Sequence, residues 1–309
     1  VLTSWLGDGA AEPARKLFAE NRIPSYSTPT EAVRGFMQLV RHKDSQEMLM
    51  RVPPNIPTDF IPNTNTARSI IEKALEEGRA WLNEAESKQV LRAYDFPVVE
   101  THIAKMAEEA GDLAEKIGGP VVLKILSSDI LFKTEVSGVV LNLEDPETVE
   151  KTAAAMLRKV REAMPDALID GFTVQPMVQR PNARQVIVGA TLDEQFGPVI
   201  VFGHGGMETE LIADSAMALP PLDMNLAHEA IRQTKISRLL ESYRNVPAAD
   251  REAIALSLVK TSQLICDIAE IAEMEINPVL ADEKGVVALD ARIKVKKTEV
   301  SGENRLAIR

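Results

Sequence analysis

Short apolar stretches rich in β-branched residues, separated by longer amphipathic ones, limit most strongly what this chain can fold into. Such runs predict strands, and apolar positions at helical spacing predict helices. Strands are predicted in PVVLKIL (120–126), GFTVQPMV (171–178), RQVIVGATL (184–192), PVIVFGHGG (198–206), EMEINPVLAD (273–282) and GVVALDARI (285–293). Helices are predicted at 106–118, 146–164 and, roughly, at 226–241 and 249–271. This order predicts an α/β or α+β fold with more than one sheet.

Composition narrows the partners that such a fold can have. The 309 residues allow about two domains of roughly 150 residues each. The net charge of −11 works against broad attraction to nucleic acid or anionic lipid. No apolar run approaches the ~20 residues of a membrane helix. We therefore expect no nucleic acid and no membrane as partner, and any anionic ligand must be held by a local cluster of cations and amides.

Cysteine and histidine usage excludes two kinds of site. The single cysteine, Cys266, rules out a disulfide framework within the chain and favours a cytoplasmic protein. It lies in the apolar stretch SQLICDIAEIA, so we expect a buried small side chain rather than a nucleophile. The histidines, His42, His102, His204 and His228, lack the spacing of a metal site.

The first 65 residues predict a fragment followed by a linker. Residues 1–50 read as strand, helix, strand, helix, a unit too small to bury a good core alone. They begin VLTSW, without Met or a signal peptide, so we expect a piece of a longer polypeptide. Residues 51–65, RVPPNIPTDFIPNTN, contain four prolines and predict a Pro-rich linker.

Lys124 and the loop after its strand are the first candidates for a ligand site. Lys124 interrupts the apolar strand VVLKIL, and a buried ammonium needs an anion such as a nucleotide phosphate. The alternative is a lysine whose stem lies on the sheet while its head reaches water. The loop SSDILFKTEVSG (127–138) offers Ser127, Lys133 and flexible amides that can wrap a phosphate. The alternative for the loop is a polar surface turn.

A glycine-rich turn follows the strand PVIVF. Gly203, Gly205 and Gly206 surround His204, and glycines after a strand let the backbone approach a phosphate closely. A tight turn without a ligand explains the same residues. His204 could carry a phosphoryl group, but a solvated turn histidine is the simpler interpretation.

Oxygen-bearing side chains gather near the C-terminus. Glu275 and Asn277 in EIN share one face of a strand, and Pro278 is expected to end that stretch. Asp290 closes the strand VVALD and lies near Asn277 if the two strands pair. Carboxylate and amide oxygens suit Mg²⁺ on phosphates, and Glu210 after the glycine turn could add another. The alternative is a capped hairpin with solvated acids.

The order of these stretches resembles the ATP-grasp module of the NDP-forming acyl-CoA synthetases. The matching stretches cover about 82–296: ESKQVLRAYDFPV, which includes the family's E-x-K, then GPVVLK, SSDILFKTEVSGV, VQPMV, RQVIVG, QFGPVIVFGHGG, EINPVLAD and ALDAR. The resemblance implies an ATP-grasp fold at 66–296, with two lobes and the nucleotide between them. Residues 1–50 resemble the end of a flavodoxin-like CoA-ligase domain. The tail 297–309, with ENRLAIR, and the stretch ALPPLDMNLA resemble the Pat-type protein lysine acetyltransferases, whose GNAT domain would follow.

The resemblance also assigns residues. It implies that ATP or ADP binds Lys124, with residues 174–178 as the hinge beside adenine, and that Mg²⁺ is held by oxygen-bearing side chains. The nucleotide-binding set is Lys124, Ser127, Lys133, Gln175, Met177, Val178, Gly203, Gly205 and Gly206. The metal set is Glu210, Asn277 and Asp290. CoA-binding and CoA-ligase domains of the same polypeptide are the implied partners.

Four departures from the family pattern separate two functions. Phe132 stands where the family has a histidine implicated in phosphoryl relay, Pro176 replaces a glutamate, Gln185 changes REV to RQV, and Ala218 replaces an arginine. The first hypothesis is a synthetase segment that transfers a phosphoryl group to or from an acyl phosphate or phosphohistidine. The second is a regulatory module of an acetyltransferase that senses nucleotide or acyl-CoA. A structural domain with an empty cleft is the third.

Overall fold

The computed structural model describes residues 1–50, 60–130 and 133–298. They form two compact units, Val1–Pro53 and Pro54–Arg309. Phe132, most of the predicted linker and nearly all of the predicted tail lie outside the described residues. Among those described, no helix has the length and apolar character required to cross a membrane.

The N-terminal unit has the predicted order of strand, helix, strand, helix. Its elements are β1 (Thr3–Ser4), α1 (Asp8–Glu20), β2 (Ser25–Tyr26) and α2 (Pro29–Leu49). The two strands pair in parallel. Leu17, Val33, Phe36 and Leu39 remain more than half exposed, as expected for a unit too small to bury its apolar side chains.

The first lobe of the larger unit is a four-stranded antiparallel sheet covered by two helices. Its strands are β3 (His102–Ala104), β4 (Val121–Leu126), β5 (Val139–Leu143) and β6 (Gly171–Pro176), in the order β3-β6-β4-β5. The helices are α5 (Ala107–Ile117) and α6 (Pro146–Ala163). Asp145 caps α6 by accepting from the Thr148 amide, and Gly118 ends α5 in a left-handed conformation. Leu123 and Ile125 of β4 pack into the core beneath these helices.

The second lobe is built on a larger antiparallel sheet. Its strands are β7 (Arg184–Asp193), β8 (Gly197–His204), β9 (Ser215–Ala218), β10 (Ile271–Asp282), β11 (Gly285–Ala288) and β12 (Ala291–Val295). The order is β11-β10-β7-β8-β9, and β12 also pairs with β10. A short helix, α7 (Thr209–Ile212), connects β8 to β9.

Four helices pack on the larger sheet. They are α3 (Thr64–Glu76), α4 (Glu84–Ala93), α8 (Met224–Arg232) and α9 (Arg251–Asp267). The first begins inside the segment predicted as linker. The helix predicted at 226–241 is wrong in its second half, where α8 is followed by a 3₁₀ turn, Ile236–Arg238. The buried carboxylate of Asp214 accepts from the Lys235 and Ile236 amides, so a distant side chain caps that turn.

Strand β10 changes partner at Pro278. It pairs with β12 up to Ile276 and with β11 from Val279. The expectation that Pro278 ends the strand is therefore wrong, because the strand continues through a register shift where no regular ladder bond is required. At this shift the Asn277 amide donates to the Asp290 carbonyl over 3.3 Å. The irregularity places Asn277 beside Asp290.

Candidate functional site

Lys124 joins the two lobes. Because Leu123 and Ile125 face the core of the first lobe, strand alternation turns Lys124 to the opposite face. Its Nζ donates to Glu84 Oε1 at 2.7 Å, to Leu289 O at 3.2 Å and to Asp290 Oδ2 at 3.3 Å. Burial alone would lower the pKa of Lys124, but the two carboxylates outweigh it and raise the pKa above its ordinary value. The alternative of a water-exposed lysine head is wrong.

Glu84 lies at the centre of a lysine cluster. It is the first residue of α4, and its side chain is fully buried. Its Oε1 binds Lys88 at 2.9 Å as well as Lys124, and its Oε2 binds Lys133 at 2.7 Å. Burial favours the neutral carboxyl, yet the three ammonium groups hold the pKa of Glu84 well below its ordinary value. We call Glu84, Lys88, Lys124 and Lys133 the lysine cluster.

Lys88 extends the cluster towards β6. Its Nζ also donates to Thr101 Oγ1 at 2.9 Å and to Gln175 Oε1 at 2.7 Å. Burial lowers the pKa of Lys88 to about 8, although Glu84 acts in the opposite direction. Gln175, predicted to bind the cofactor, is thus connected to Lys124 through Lys88 and Glu84.

Asn277 and Asp290 form an oxygen-bearing pair next to the cluster. Asp290 Oδ1 accepts from the Ala291 amide at 2.8 Å, and Asn277 Nδ2 donates to Glu275 Oε1 at 3.1 Å. The side-chain oxygens of Asn277 and Asp290 each keep a lone pair for a further partner. Within the part of the chain that the structure describes, no group of three or more His, Cys, Asp or Glu could hold a metal ion. Two protein oxygens completed by phosphate oxygens still suit Mg²⁺, which is usually bound in that way.

The glycine turn reaches the same place through Gly206. Its φ is 94°, a conformation that favours glycine, and its amide donates to Asn277 Oδ1 at 2.7 Å. Gly203 has a different reason, since a Cβ there would lie 2.1 Å from the Asp214 carbonyl oxygen of the neighbouring chain segment. Gly205 likewise lies against the backbone of β7.

Besides Gly203 and Gly205, four predicted site residues show no contact with this network among the described residues. Ser127 Oγ donates to Leu168 O at 2.6 Å and accepts from the Asp129 amide at 3.1 Å, which stabilises its own loop. The Met177 amide donates to Pro120 O at 2.8 Å, and Val178 is half-buried just after β6. Glu210 is exposed on α7. Their ligand roles stay predictions.

Two residues of the network, Glu84 and Lys88, were not predicted. The signal was present, since the two residues are four apart in the sequence and Lys88 lies three before the apolar Leu91. A charged pair on the buried face of a helix implies a charged partner across from it. An acid in the first turn of a helix is common on other grounds, which hides that signal.

The electrostatics of the site favour a polyphosphate. The lysine cluster carries three positive charges and one negative charge, a net charge of +2, in a chain of net charge −11, and the carboxylates of Asp290 and Glu275 lie beside it. Ammonium groups for phosphate oxygens thus lie next to oxygens for a divalent cation. Burial strengthens both kinds of interaction.

Comparison with known proteins identifies the family to which this fold belongs. The model of a family described as ATP-grasp domain matches residues 73–295. The chain is 40% identical over 233 residues to the beta subunit of the ADP-forming acetate–CoA ligase II of Pyrococcus furiosus, covering 74% of this chain and 98% of that subunit. It is 36% identical over 289 residues to the ADP-forming acetate–CoA ligase I of Archaeoglobus fulgidus, covering 94% of this chain and 41% of that protein.

A solved relative has the same fold. The dinucleotide-forming acetyl-coenzyme A synthetase 1 of Ca. Korarchaeum cryptofilum, in complex with coenzyme A and Ca-AMPCP, superposes with a TM-score of 0.72 at 37% identity, covering 74% of this chain and all of that one. Another structure of that protein contains coenzyme A and Mg-AMPPCP, with a TM-score of 0.65 at 34% identity, covering 74% of this chain and all of that one. The chain therefore belongs to the ATP-grasp family and corresponds to the ATP-grasp segment of ADP-forming acyl-CoA synthetases.

Proposed function

We propose that this chain binds ATP or ADP with Mg²⁺ at the lysine cluster and transfers a phosphoryl group to or from an acyl phosphate or phosphohistidine. The observation that carries the proposal is Lys124, whose ammonium lies 3.3 Å from Asp290 and thereby links the cations of one lobe to the oxygen pair of the other. The Mg-AMPPCP in the K. cryptofilum synthetase supports it.

The residues divide the work by charge. Lys124 and Lys133 hold phosphate oxygens, and Asp290 and Asn277 hold the metal ion. The metal, when bound, supplies positive charge that offsets the charge of the phosphoryl group during transfer. The buried ammonium groups are fixed before the ligand arrives, so little reorganisation is needed in the transition state.

Phe132 cannot accept a phosphoryl group, so the relay histidine must come from another segment. The K. cryptofilum protein has a phosphohistidine segment that points towards its nucleotide-binding site. We place the source of such a segment in CoA-binding and CoA-ligase domains to which residues 1–50 would belong, and residues 66–296 form the ATP-grasp domain. Making acyl-CoA in the cytoplasm is then a property of the complete enzyme.

The second candidate is a regulatory role beside a GNAT acetyltransferase domain following residues 297–309. Phe132 is the sequence observation that favours it. The relatives reported above are described as ligases or synthetases, which gives this candidate no support. Turnover separates the two: transfer of the γ-phosphoryl group of ATP to the histidine of a supplied segment, with release of ADP, supports the ligase, and nucleotide binding without turnover supports the regulator.

Calorimetric titration with Mg-AMPPCP tests the proposal directly. Lys124→Met should raise the Kd at least tenfold, because an ammonium that contacts phosphate is lost. Lys116→Met, at an exposed lysine of α5, is the matched control and should leave the Kd unchanged. Absence of binding by the wild-type chain at millimolar ligand would reject the proposal.

A further inference from the structure

Glu84 lies on the buried side of the ammonium groups that it binds. Its side chain is 0% exposed, whereas those of Lys124 and Lys133 are 7% and 10% exposed. A ligand from solvent therefore meets the lysines before it meets the carboxylate. Glu84 is fixed to the first turn of α4, whose capping box joins Asn83 to Glu86. The carboxylate of Glu84 is therefore fixed on the buried side of the lysines.

The hydrogen bonds of Lys124 show which partner a phosphate would displace. Its three ammonium hydrogens point to three acceptors, so a phosphate oxygen must replace one of them. The bond to Glu84 is 2.7 Å long, and those to Leu289 O and Asp290 Oδ2 are 3.2 and 3.3 Å. The bond to Asp290 is the longest of the three, and Asp290 is the partner that a metal ion would take. The bond to Glu84 is the one that persists.

We infer that Glu84 is a positioning residue for the proposed nucleotide site. Its two oxygens bind Lys124 of β4 and Lys133 of the following loop from the buried side. Both ammonium groups are thereby positioned to bind one phosphate group from the solvent side. The inference rests on the proposed function. Without Glu84, a strand residue and a loop residue from different segments have no shared anchor, and ligand binding must fix both side chains itself.

Lys88 allows a variant to separate the effect of lysine position from the effect of lysine charge. It depends on Glu84 to stay protonated, since burial has already lowered the pKa of Lys88 to about 8. Removing the carboxylate charge should therefore favour loss of the Lys88 proton, so that at most one positive charge is lost together with the negative one. The net charge of the site does not fall, and a rise in Kd therefore reports geometry and not a loss of positive charge.

The test is titration of Glu84→Gln with Mg-AMPPCP and with inorganic pyrophosphate. We expect the Kd for both ligands to rise at least tenfold, and Glu84→Asp, which keeps the charge on a shorter arm, to lie between that variant and the wild type. Asp282→Asn is the matched control, since Asp282 is a buried carboxylate that pairs with Arg180 at 3.0 Å away from the lysine cluster. It should lower the unfolding temperature and leave both Kd values unchanged.

The outcomes distinguish this inference from the proposed function. Wild-type binding with an unchanged or lower Kd in Glu84→Gln overturns the positioning role and leaves the function standing. An equal loss in Asp282→Asn also overturns it, because a general loss of stability then explains both variants. No wild-type binding rejects the function itself. If Glu84→Gln does not fold, the double variant Glu84→Gln/Lys88→Met removes both buried charges. Its reference is Lys88→Met alone, and the double variant should have the higher Kd.

Discussion

At the scale of single residues, Asp290 lies between two partners that compete for it. One is the ammonium of Lys124 at 3.3 Å, and the other, in the proposed function, is a magnesium ion. The competition couples metal and phosphate, because a metal ion on Asp290 frees a hydrogen of Lys124 for the nucleotide. Metal and nucleotide should therefore bind cooperatively.

Asp290→Asn tests this coupling. The amide is a poorer metal ligand than the carboxylate, so Mg-AMPPCP should bind at least tenfold more weakly. This corresponds to a loss of about 1.4 kcal/mol of binding free energy. Metal-free AMPPCP should lose less, since it depends on the lysines alone. Calorimetry with and without Mg²⁺ measures both values. The control is Asp193→Asn, because Asp193 is exposed and accepts from the Gln195 and Phe196 amides of its own turn. Equal losses with and without metal in Asp290→Asn would contradict the coupling.

Lys88 gives the stability of the chain a defined pH dependence. The pKa of Lys88 is about 8 in the folded chain, against 10.5 for an ordinary lysine, so between these limits the unfolded chain binds more protons. Stability must therefore rise with pH in this window, and the Lys88 penalty is complete below pH 8 and absent above pH 10.5. Lys124 and Tyr94, whose pKa values are raised, act at the upper end of the window and beyond.

We expect the wild type to gain on the order of 1–2 kcal/mol more than Lys88→Met between pH 8 and pH 10, from a shift of this size. Urea unfolding at pH 7, 8, 9 and 10 measures the difference. The two proteins should show parallel changes between pH 6 and 7, where Lys88 is protonated in both folded and unfolded chains. A constant difference from pH 7 to 10 would mean that Lys88 does not titrate in this window.

At the scale of elements, α4 supplies half of the lysine cluster. The capping box sets where the helix begins: Asn83 Oδ1 accepts from the Glu86 amide and Glu86 Oε2 accepts from the Asn83 amide, both at 2.9 Å. Glu84 is the residue directly after this cap. The position of the carboxylate is therefore determined by local backbone chemistry as well as by its lysine partners.

Asn83→Ala should cost about 1 kcal/mol of stability, as the loss of a side-chain cap usually does. Because fraying of the first turn moves Glu84, it should also weaken Mg-AMPPCP binding several-fold. Asn63→Ala is the matched control, since Asn63 caps α3 through the Thr66 amide at 3.1 Å and that helix contributes no residue to the cluster. Chemical denaturation and calorimetry on both variants should give similar losses of stability and a loss of affinity in Asn83→Ala alone.

Prediction of elements from the sequence succeeded where local pattern decides and failed where distant contacts do. The strands around Lys124 and the hairpin that carries Asp290 follow from apolar runs and turn residues. The end of α8 does not, since the turn after it is capped by Asp214 from another part of the chain. The passage of β10 through Pro278 depends on a change of partner strand that no local rule contains.

For the site, the same distinction holds. Lys124 was predictable because an ammonium in an apolar strand demands an anion, and Asp290 because it closes a strand next to EIN. The direct partner of Lys124 was not, because Glu84 lies forty residues away on a helix whose packing only the fold reveals. The sequence indicated that Lys124 needs an anionic partner, and the three-dimensional structure shows that Glu84 and Asp290 lie against it.

At the scale of the whole molecule, the contacts described for the site lie in the larger unit. The network runs from Glu84 to Asp290, within Pro54–Arg309, and every contact described for it stays inside that unit. The N-terminal unit keeps Leu17, Val33 and Phe36 more than half exposed, so its own stability should be low. Ligand binding should therefore stabilise the larger unit and leave the stability of the N-terminal unit unchanged.

Saturating Mg-AMPPCP should raise the unfolding temperature of the chain. At a hundred times its Kd a ligand adds about 2.7 kcal/mol, which for a unit of this size corresponds to roughly 5–10 °C. Deleting residues 1–53 should leave that increase unchanged, whatever it does to solubility, because none of the phosphate or metal contacts is removed. Calorimetric scans of the full chain and the shortened chain, each with and without ligand, measure it. A shift that disappears with the deletion would show that the first unit takes part in the nucleotide site.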